Sequence, residues 1–261
     1  MSHPPTHWND IEIDYDKVLN GDPSNVALLT TAVGTLPSGA TDVLDIGSGT
    51  GRLTAMCRDA RPGARIVGVD PAPTMVEAAR LKFADDPAVS FEAGVAQDLG
   101  QFPENSFDAV ITSFVLHHLE LPEYPVVARE ILRVLRPGGC FINADQFCRV
   151  MGPAGTEERA RDILELLTDK AKYYLRYASF ERALLQIDLL PRFLRDDGEI
   201  LTTAEHWRDV LVTAGAGAVD IIAVPPVELY NRVIVAVKAG GDGEPGHAPR
   251  IGATTDRVAP A

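Results

Sequence analysis

The segment Val43-Leu44-Asp45-Ile46-Gly47-Ser48-Gly49-Thr50-Gly51-Arg52-Leu53 constrains the fold more than any other stretch of this chain. A short apolar run ends in three glycines at alternate positions and passes into a helix-forming sequence, the pattern of a buried strand turning directly into a helix. Such glycines admit positive φ and let a ligand approach the backbone. The helix start offers N–H groups to a negatively charged group. The spacing is G-x-G-x-G and not the G-x-G-x-x-G of dinucleotide pyrophosphate sites. Two acids frame it. Asp45 precedes the first glycine, and Asp70 ends the next apolar run, Val67-Gly68-Val69-Asp70, where a carboxylate can accept both ribose hydroxyl hydrogens. The expected ligand carries an adenosine group without a pyrophosphate.

The rest of the chain repeats this rhythm. Strands are expected at residues 42–46, 65–69, 89–92, 107–112 and 140–144, with helices at 51–60, 74–83 and 125–135 between them. Regular alternation with Val- and Ile-rich strands predicts a parallel sheet covered by helices on both faces. Residues 157–195 hold no convincing strand and many helix formers, and read as a helical insertion. Thr202 and Glu205 read as a capping box that opens a helix to about residue 214. Residues 219–224 and 229–237 read as two closing strands. The Pro225-Pro226 link between them is too short for a crossover helix, so they are expected to pair antiparallel.

The 261 residues include 24 Lys plus Arg against 37 Asp plus Glu, a net charge of −13. A surface built for nucleic-acid phosphates carries a basic excess, so nucleic acid and anionic membranes are not expected partners. Cys57, Cys140 and Cys148 form no metal or redox spacing and no disulfide framework. No apolar run reaches membrane-spanning length, and Met1-Ser2-His3-Pro4-Pro5 has no signal-peptide pattern, so a reduced, cytoplasmic compartment is expected. The assigned organisation is an N-terminal arm (1–23), one domain (24–238) whose residues 150–200 form a helical lid, and a Gly-, Pro- and Ala-rich tail (239–261) expected to be disordered.

Taken together, the motifs resemble the class I S-adenosylmethionine-dependent methyltransferases. The glycine segment and Asp70 match that family's first two motifs. Phe91-Glu92-Ala93-Gly94-Val95-Ala96-Gln97-Asp98-Leu99 matches the stretch that lies against adenine. Phe107-Asp108-Ala109-Val110-Ile111-Thr112-Ser113 with Leu116-His117-His118-Leu119 matches the fourth strand and its turn. Glu130-Ile131-Leu132-Arg133-Val134-Leu135-Arg136-Pro137-Gly138-Gly139 matches the late E-x-x-R-V-L-x-P-G-G signature. The likeness covers roughly residues 40–145 and the closing strands. Many relatives carry Asp where Val95 stands, and valine accepts no hydrogen bond. Adenine recognition is then left to Gln97, Asp98 or backbone near Ala96.

The resemblance implies a doubly wound Rossmann-like α/β sheet of seven strands, the last antiparallel, under a helical lid. It implies S-adenosylmethionine as cofactor, with Tyr15, Asp45, Gly47, Ser48, Gly49, Gly51, Asp70, Pro71, Met75, Ala96, Gln97 and Ser113 as its contacts. His117, His118 and Asp145 fall at the carboxyl ends of strands and are the candidate catalytic residues; no metal ligands are assigned. Each has a structural alternative: the histidines as polar packing, Asp145 as a solvated acid or helix cap. Tyr173, Tyr174, Tyr177 and Phe180 form a stripe that reads as core or as an aromatic acceptor pocket. Arg176, Arg192 and Arg195 read as a solvated face or a carboxylate grip. The expected reaction is methyl transfer to a small molecule, aromatic or carboxylate-bearing, by a monomer or homodimer. Two alternatives stand beside it. The Asp22–Leu36 and Phe141–Gln146 stretches resemble a subgroup that includes carboxy-S-adenosylmethionine synthase, which converts the cofactor. A non-catalytic cofactor-binding protein is the other.

Overall fold

The first apolar run, β1 (Asp42–Ile46), pairs in parallel with β2 (Arg65–Asp70) on one side and β4 (Phe107–Ser113) on the other. From this centre the sheet grows outward through β3 (Val89–Ala93) beside β2 and β5 (Leu135–Gln146) beside β4. The computed structural model describes residues 15–240. Its seven strands lie in the order β3-β2-β1-β4-β5-β7-β6. β7 (Asn231–Lys238) runs antiparallel to both β5 and β6 (Ala216–Ala223), as the short Pro225-Pro226 link requires. The strand order reverses between β1 and β4, which opens the crevice where ligands of doubly wound sheets bind.

Side-chain alternation sends the two faces of each strand into separate cores. On one face Val43, Ile66, Ile111 and Ile142 pack under α2 (Pro23–Gly34), α3 (Arg52–Ala60) and α4 (Pro73–Lys82). On the other Leu44, Val67, Val110 and Phe141 pack under α5 (Tyr124–Val134) and α8 (Ala204–Ala214). Full burial of a side chain such as Leu44 or Ile66 stabilises the fold by about 1.5–3 kcal/mol. The three cysteines are buried and free, and burial pushes the thiols of Cys57, Cys140 and Cys148 upward.

The insertion is two helices, α6 (Glu157–Tyr177) and α7 (Phe180–Arg195), joined by Ala178 and Ser179. Ser179 caps α7 by accepting the Arg182 N–H at 3.1 Å. Its small core of Ile163, Leu166, Leu167 and Phe193 closes on Cys148, just past β5, and on Leu201. Asp162 accepts the N–H groups of Arg149 and Val150, which ties the start of α6 to the carboxyl end of β5. The hairpin therefore stands over the carboxyl edge of the sheet. No helix among the described residues is long and apolar enough to cross a membrane.

Some local expectations shift. The segment read as an arm contains α1 (Tyr15–Asn20), and α2 begins at Pro23 with Asp22 as its cap, accepting from the N–H groups of Ser24 and Asn25. β5 extends well beyond residues 140–144. The Thr202–Glu205 box does not form. Thr203 is the cap of α8, and its side chain accepts the His206 N–H at 3.2 Å. The tail read at 239–261 lies outside the described residues beyond Gly240, and so does the arm before Tyr15.

Candidate active site

Gly47 to Gly51 turn the chain from β1 into α3, with φ of +67° at Gly47 and +51° at Gly49. A Cβ on Gly47 would stand 2.2 Å from a Val115 methyl, so Val115 packs only against glycine here. A Cβ on Gly49 would meet nothing within 4 Å, which leaves open space above the middle of the loop. Asp70 holds that loop. One carboxylate oxygen accepts the Gly49 N–H at 2.9 Å and the other accepts the Ala72 N–H at 2.8 Å. Burial raises the Asp70 pKa, and these two N–H groups oppose the rise.

The loop amides are less available than the sequence suggests. Gly47 and Ser48 both donate to the Val69 carbonyl, at 2.8 and 3.0 Å, and Gly51 donates to Ser48 at 2.8 Å. With Gly49 on Asp70, four donors are answered within the protein. The loop presents a shaped floor and a carboxylate edge rather than a ring of open N–H groups. Asp45 lies beneath it, accepting the Thr54 hydroxyl at 2.6 Å, and burial lifts its pKa to about 7. Its other oxygen and the Ser48 hydroxyl are buried without a hydrogen-bond partner among the described residues. Open space over Gly49, a strand-end carboxylate and these two orphaned polar atoms suit a cofactor with hydroxyl and amino groups.

The remaining cofactor candidates flank this loop. Pro71 is exposed and Met75 half-buried at the start of α4. Ala96 is buried, and Gln97 donates to Glu123 at 3.0 Å. Val95 is exposed, and its backbone bridges to Asp98. Arg133 donates to the carbonyls of Leu99 and Phe102, while Glu130 accepts the Leu99 N–H at 3.0 Å. The late E-x-x-R signature thus clamps the segment after β3 onto α5. Ser113 is half-buried at the end of β4. Tyr15 lies in α1, and its side chain is outside the description.

Phe114 follows β4 in the left-handed region, at φ +53°, a conformation that non-glycine residues adopt chiefly where surrounding structure imposes it. This bend brings Val115 onto Gly47 and feeds a 3-10 turn at Leu116–His118. His117 is buried between two carboxylates. Its Nδ1 lies 2.7 Å from Asp145 and its Nε2 lies 3.2 Å from Glu199. Burial pulls its pKa down, but the two carboxylates outweigh this and hold it up to about 10. His117 is therefore an imidazolium at neutral pH, with no lone pair to accept a proton. His118 is the opposite case. Burial and the charged His117 ring beside it push its pKa down to about 4, and its Nδ1 donates to the Gly198 carbonyl at 2.7 Å. That places the neutral ring's lone pair on Nε2. Asp145 also accepts the Gln146 N–H, at 2.8 Å.

Alternation along β5 puts Asn143 and Asp145 on the α5 and α8 face, and Thr112, the register partner of Asn143, shares it. The Thr112 hydroxyl and both polar atoms of the Asn143 side chain are buried with no hydrogen-bond partner among the described residues. Such a row is where water or a polar group of a bound molecule finds partners.

Three residues that the sequence reading passed over shape the site. Glu199, 82 positions after His117 (199 − 117), completes the histidine cluster. Lys170 of α6 is fully buried and donates to Gln146 at 3.0 Å and Asn231 at 2.9 Å; burial lowers its pKa to about 7. Arg182 of α7 pairs with Asp22 and lies 3.8 Å from the centre of the Tyr174 ring. The aromatic stripe is accordingly divided: Tyr174 is core, Tyr173 is half-buried, and Tyr177 and Phe180 are exposed. Arg192 pairs with Asp197 at the surface, and Arg195 and Arg176 are exposed, with Arg176 over the Tyr177 ring.

The profile of a methyltransferase domain matches residues 44–143, the span from β1 to β5. Over 191 residues the chain is 29% identical to a ubiquinone/menaquinone biosynthesis C-methyltransferase of Desulfotalea psychrophila, covering 70% of this chain and 68% of that protein. These matches support placing the chain among the class I S-adenosylmethionine-dependent methyltransferases. Their cofactor, S-adenosylmethionine, is the ligand that suits the Gly47–Gly51 loop and Asp70. A demethylmenaquinone methyltransferase of Symbiobacterium thermophilum is 36% identical over 104 residues. That match spans 38% of this chain and about two fifths of the relative, 40%. Human N-acetylserotonin methyltransferase, solved with its S-adenosylmethionine, superposes with a TM-score of 0.54 at 19% identity, over 84% of this chain and 52% of that one, and shows the shared fold.

Proposed function

We propose that this protein transfers the methyl group of S-adenosylmethionine to a small-molecule acceptor held under the α6–α7 hairpin. The observation that carries the reading is the Gly47–Gly51 loop fastened to Asp70 at the strand-order reversal, with open space over Gly49. When bound, the cofactor supplies a methyl group already activated by its sulfonium. The protein's contribution is then alignment of donor and acceptor and exclusion of water.

Asp70 would hold the ribose hydroxyls by turning from the Gly49 amide. Ala96 and the clamped Val95–Leu99 stretch would flank the adenine, with backbone groups replacing the carboxylate that Val95 lacks. Where the acceptor is a hydroxyl or an acidic carbon, His118 is the group in the right protonation state to take its proton at Nε2. His117, held cationic by Asp145 and Glu199, positions that ring and fixes its surroundings. An aromatic acceptor is favoured, because the curated relatives named above act in quinone biosynthesis. The acidic net charge favours a small molecule over a nucleic acid.

Calorimetry with S-adenosylmethionine and S-adenosylhomocysteine, followed by methyl transfer to a panel of phenols, naphthols and keto acids, tests the proposal. Micromolar binding of both nucleosides and a methylated product are expected. No binding of either would overturn it. Binding with a carboxylated nucleoside as the product would transfer the assignment to cofactor conversion.

A further inference from the structure

Glu199 helps to hold His117 charged, and it also changes what the histidine cluster can hold. His117, His118 and Glu199 each offer a donor atom, and these three atoms lie within 4.8 Å of one another. The His117 Nε2 to Glu199 oxygen separation is 3.2 Å, and a Glu199 oxygen lies 3.7 Å from His118 Nδ1. Two ligands at about 2.1 Å from one cation at angles near 90–110° stand roughly 3.0–3.4 Å apart, so the first pair is already spaced for a shared ion. Two imidazoles and one carboxylate form the donor set that favours first-row divalent ions over Mg or Ca. Asp145 completes the pattern. It engages His117 Nδ1 at 2.7 Å, which leaves Nε2 as the ligating atom, and a carboxylate behind a histidine ligand orients the ring and raises its basicity.

We infer that His117, His118 and Glu199 form a binding site for one divalent first-row transition cation, with Asp145 as the residue that positions His117. The donors come from two segments, the 3-10 turn after β4 and the turn that leaves α7. That second turn contains Asp196 and Gly198 in the left-handed region. On binding, the cation replaces the proton on His117 Nε2, which leaves to solvent, and His118 releases the Gly198 carbonyl and carries its proton on Nε2 instead, so that the Nδ1 lone pair meets the ion. Side-chain exposures of 6% for His117, 14% for His118 and 0% for Glu199 leave His118 as the approach. The site stands on the geometry of these four side chains; with the ion bound, His118 no longer offers the Nε2 lone pair assigned to it above.

Titration of the chelator-treated full-length protein with Co²⁺, read by visible d–d absorption and calorimetry, tests the inference. One equivalent per chain is expected, with bands of a nitrogen- and oxygen-ligated ion, displaced by Zn²⁺. Glu199→Gln and His118→Ala should abolish the bands. Asp145→Asn should weaken binding by about 10–100-fold, the usual effect of removing a carboxylate behind a histidine ligand. Circular dichroism shows which variants fold. Absence of a Co²⁺ spectrum in the unmutated protein overturns the inference whatever the variants do. Unchanged affinity in a folded Glu199→Gln protein overturns it as well. A cluster that serves only to join the turn after α7 to the sheet gives one of these two results. Neither outcome depends on binding of S-adenosylmethionine.

Discussion

Asp22 and Arg182, 160 residues apart, form a buried ion pair at 3.0 Å that joins the start of α2 to α7. Asp22 does two jobs at once: one carboxylate oxygen caps α2, and the other meets the guanidinium. Asp22→Asn keeps a capping side chain but removes the charge facing Arg182. Asp22→Ala removes both. Breaking one side of a buried pair costs about 3–5 kcal/mol, and loss of a cap about 1 kcal/mol more. Urea denaturation should therefore rank the unmutated protein above Asp22→Asn, and Asp22→Ala below both. Equal midpoints for the two variants would mean that the cap contributes nothing.

Two glycines of one loop should respond differently to the same substitution. Gly47→Ala drives a methyl into Val115, and overpacking of this kind costs about 1–3 kcal/mol in addition to the strain at positive φ. Val115→Ala in the same chain should restore part of that stability. Gly49→Ala meets no neighbour and carries only the strain at positive φ, so it should destabilise less than Gly47→Ala while affinity for S-adenosylmethionine falls by at least about tenfold, or roughly 1.4 kcal/mol. Thermal melts and calorimetry on the three proteins check this. A Gly49→Ala protein that binds as tightly as the unmutated one would put the ligand elsewhere.

The buried Lys170 gives a pH signature. Its pKa falls from 10.5 to about 7 on folding, so between pH 7 and 10.5 the unfolded chain holds a proton that the folded chain does not. Stability then rises with pH across that window and gains nothing from this group below it, where both states are protonated. Lys170→Met lacks the group. The difference in melting temperature between the two proteins should move in favour of the lysine protein from pH 7 to pH 10. A constant difference would show Lys170 to be charged in the folded state.

The histidines divide by role. His118→Ala should lower kcat by about 10²–10⁴ with little change in cofactor affinity, as expected for loss of a proton acceptor. His117→Gln leaves Asp145 and Glu199 facing one another without the imidazolium between them, and should lower both the melting temperature and kcat. Unchanged kcat in the two variants would return both rings to packing.

The succession of strands along the chain and the glycine turn were legible because they are local. The run 43–53 writes its own strand, turn and helix, and the short Pro225-Pro226 link alone requires an antiparallel closure. The contacts between distant segments were not legible. Glu199 follows an Asp-Asp-Gly turn that reads as solvent-facing, and only the return of the chain beneath α7 carries it to His117. Lys170 looks like any charged residue of an amphipathic helix until Gln146 and Asn231 are found opposite it. Asp22 was read as the end of an arm because its two partners, a helix start and a guanidinium 160 positions away, belong to different scales of structure. The one-residue shift from Thr202 to Thr203 has a similar cause. Only Thr202 has a glutamate three residues on, but Thr203 caps a helix as well by its own hydroxyl, and the bond from Cys148 N–H to the Thr202 carbonyl ties Thr202 into the strand-end connection instead.

The placement of β7 has a consequence for the order of events on the ribosome. The last of the described strands to be synthesised is an interior strand, hydrogen-bonded to β5 and β6 on its two sides, and it carries the Asn231 that receives Lys170. The half-sheet β1–β4 can assemble as the chain emerges, but β5 keeps an open edge, and the hairpin lacks the Asn231 acceptor, until residue 238 has left the exit tunnel. A ribosome-bound chain stalled short of that point should expose the β5 edge and bind chaperones, and release of the final strand should end that interval in one cooperative step.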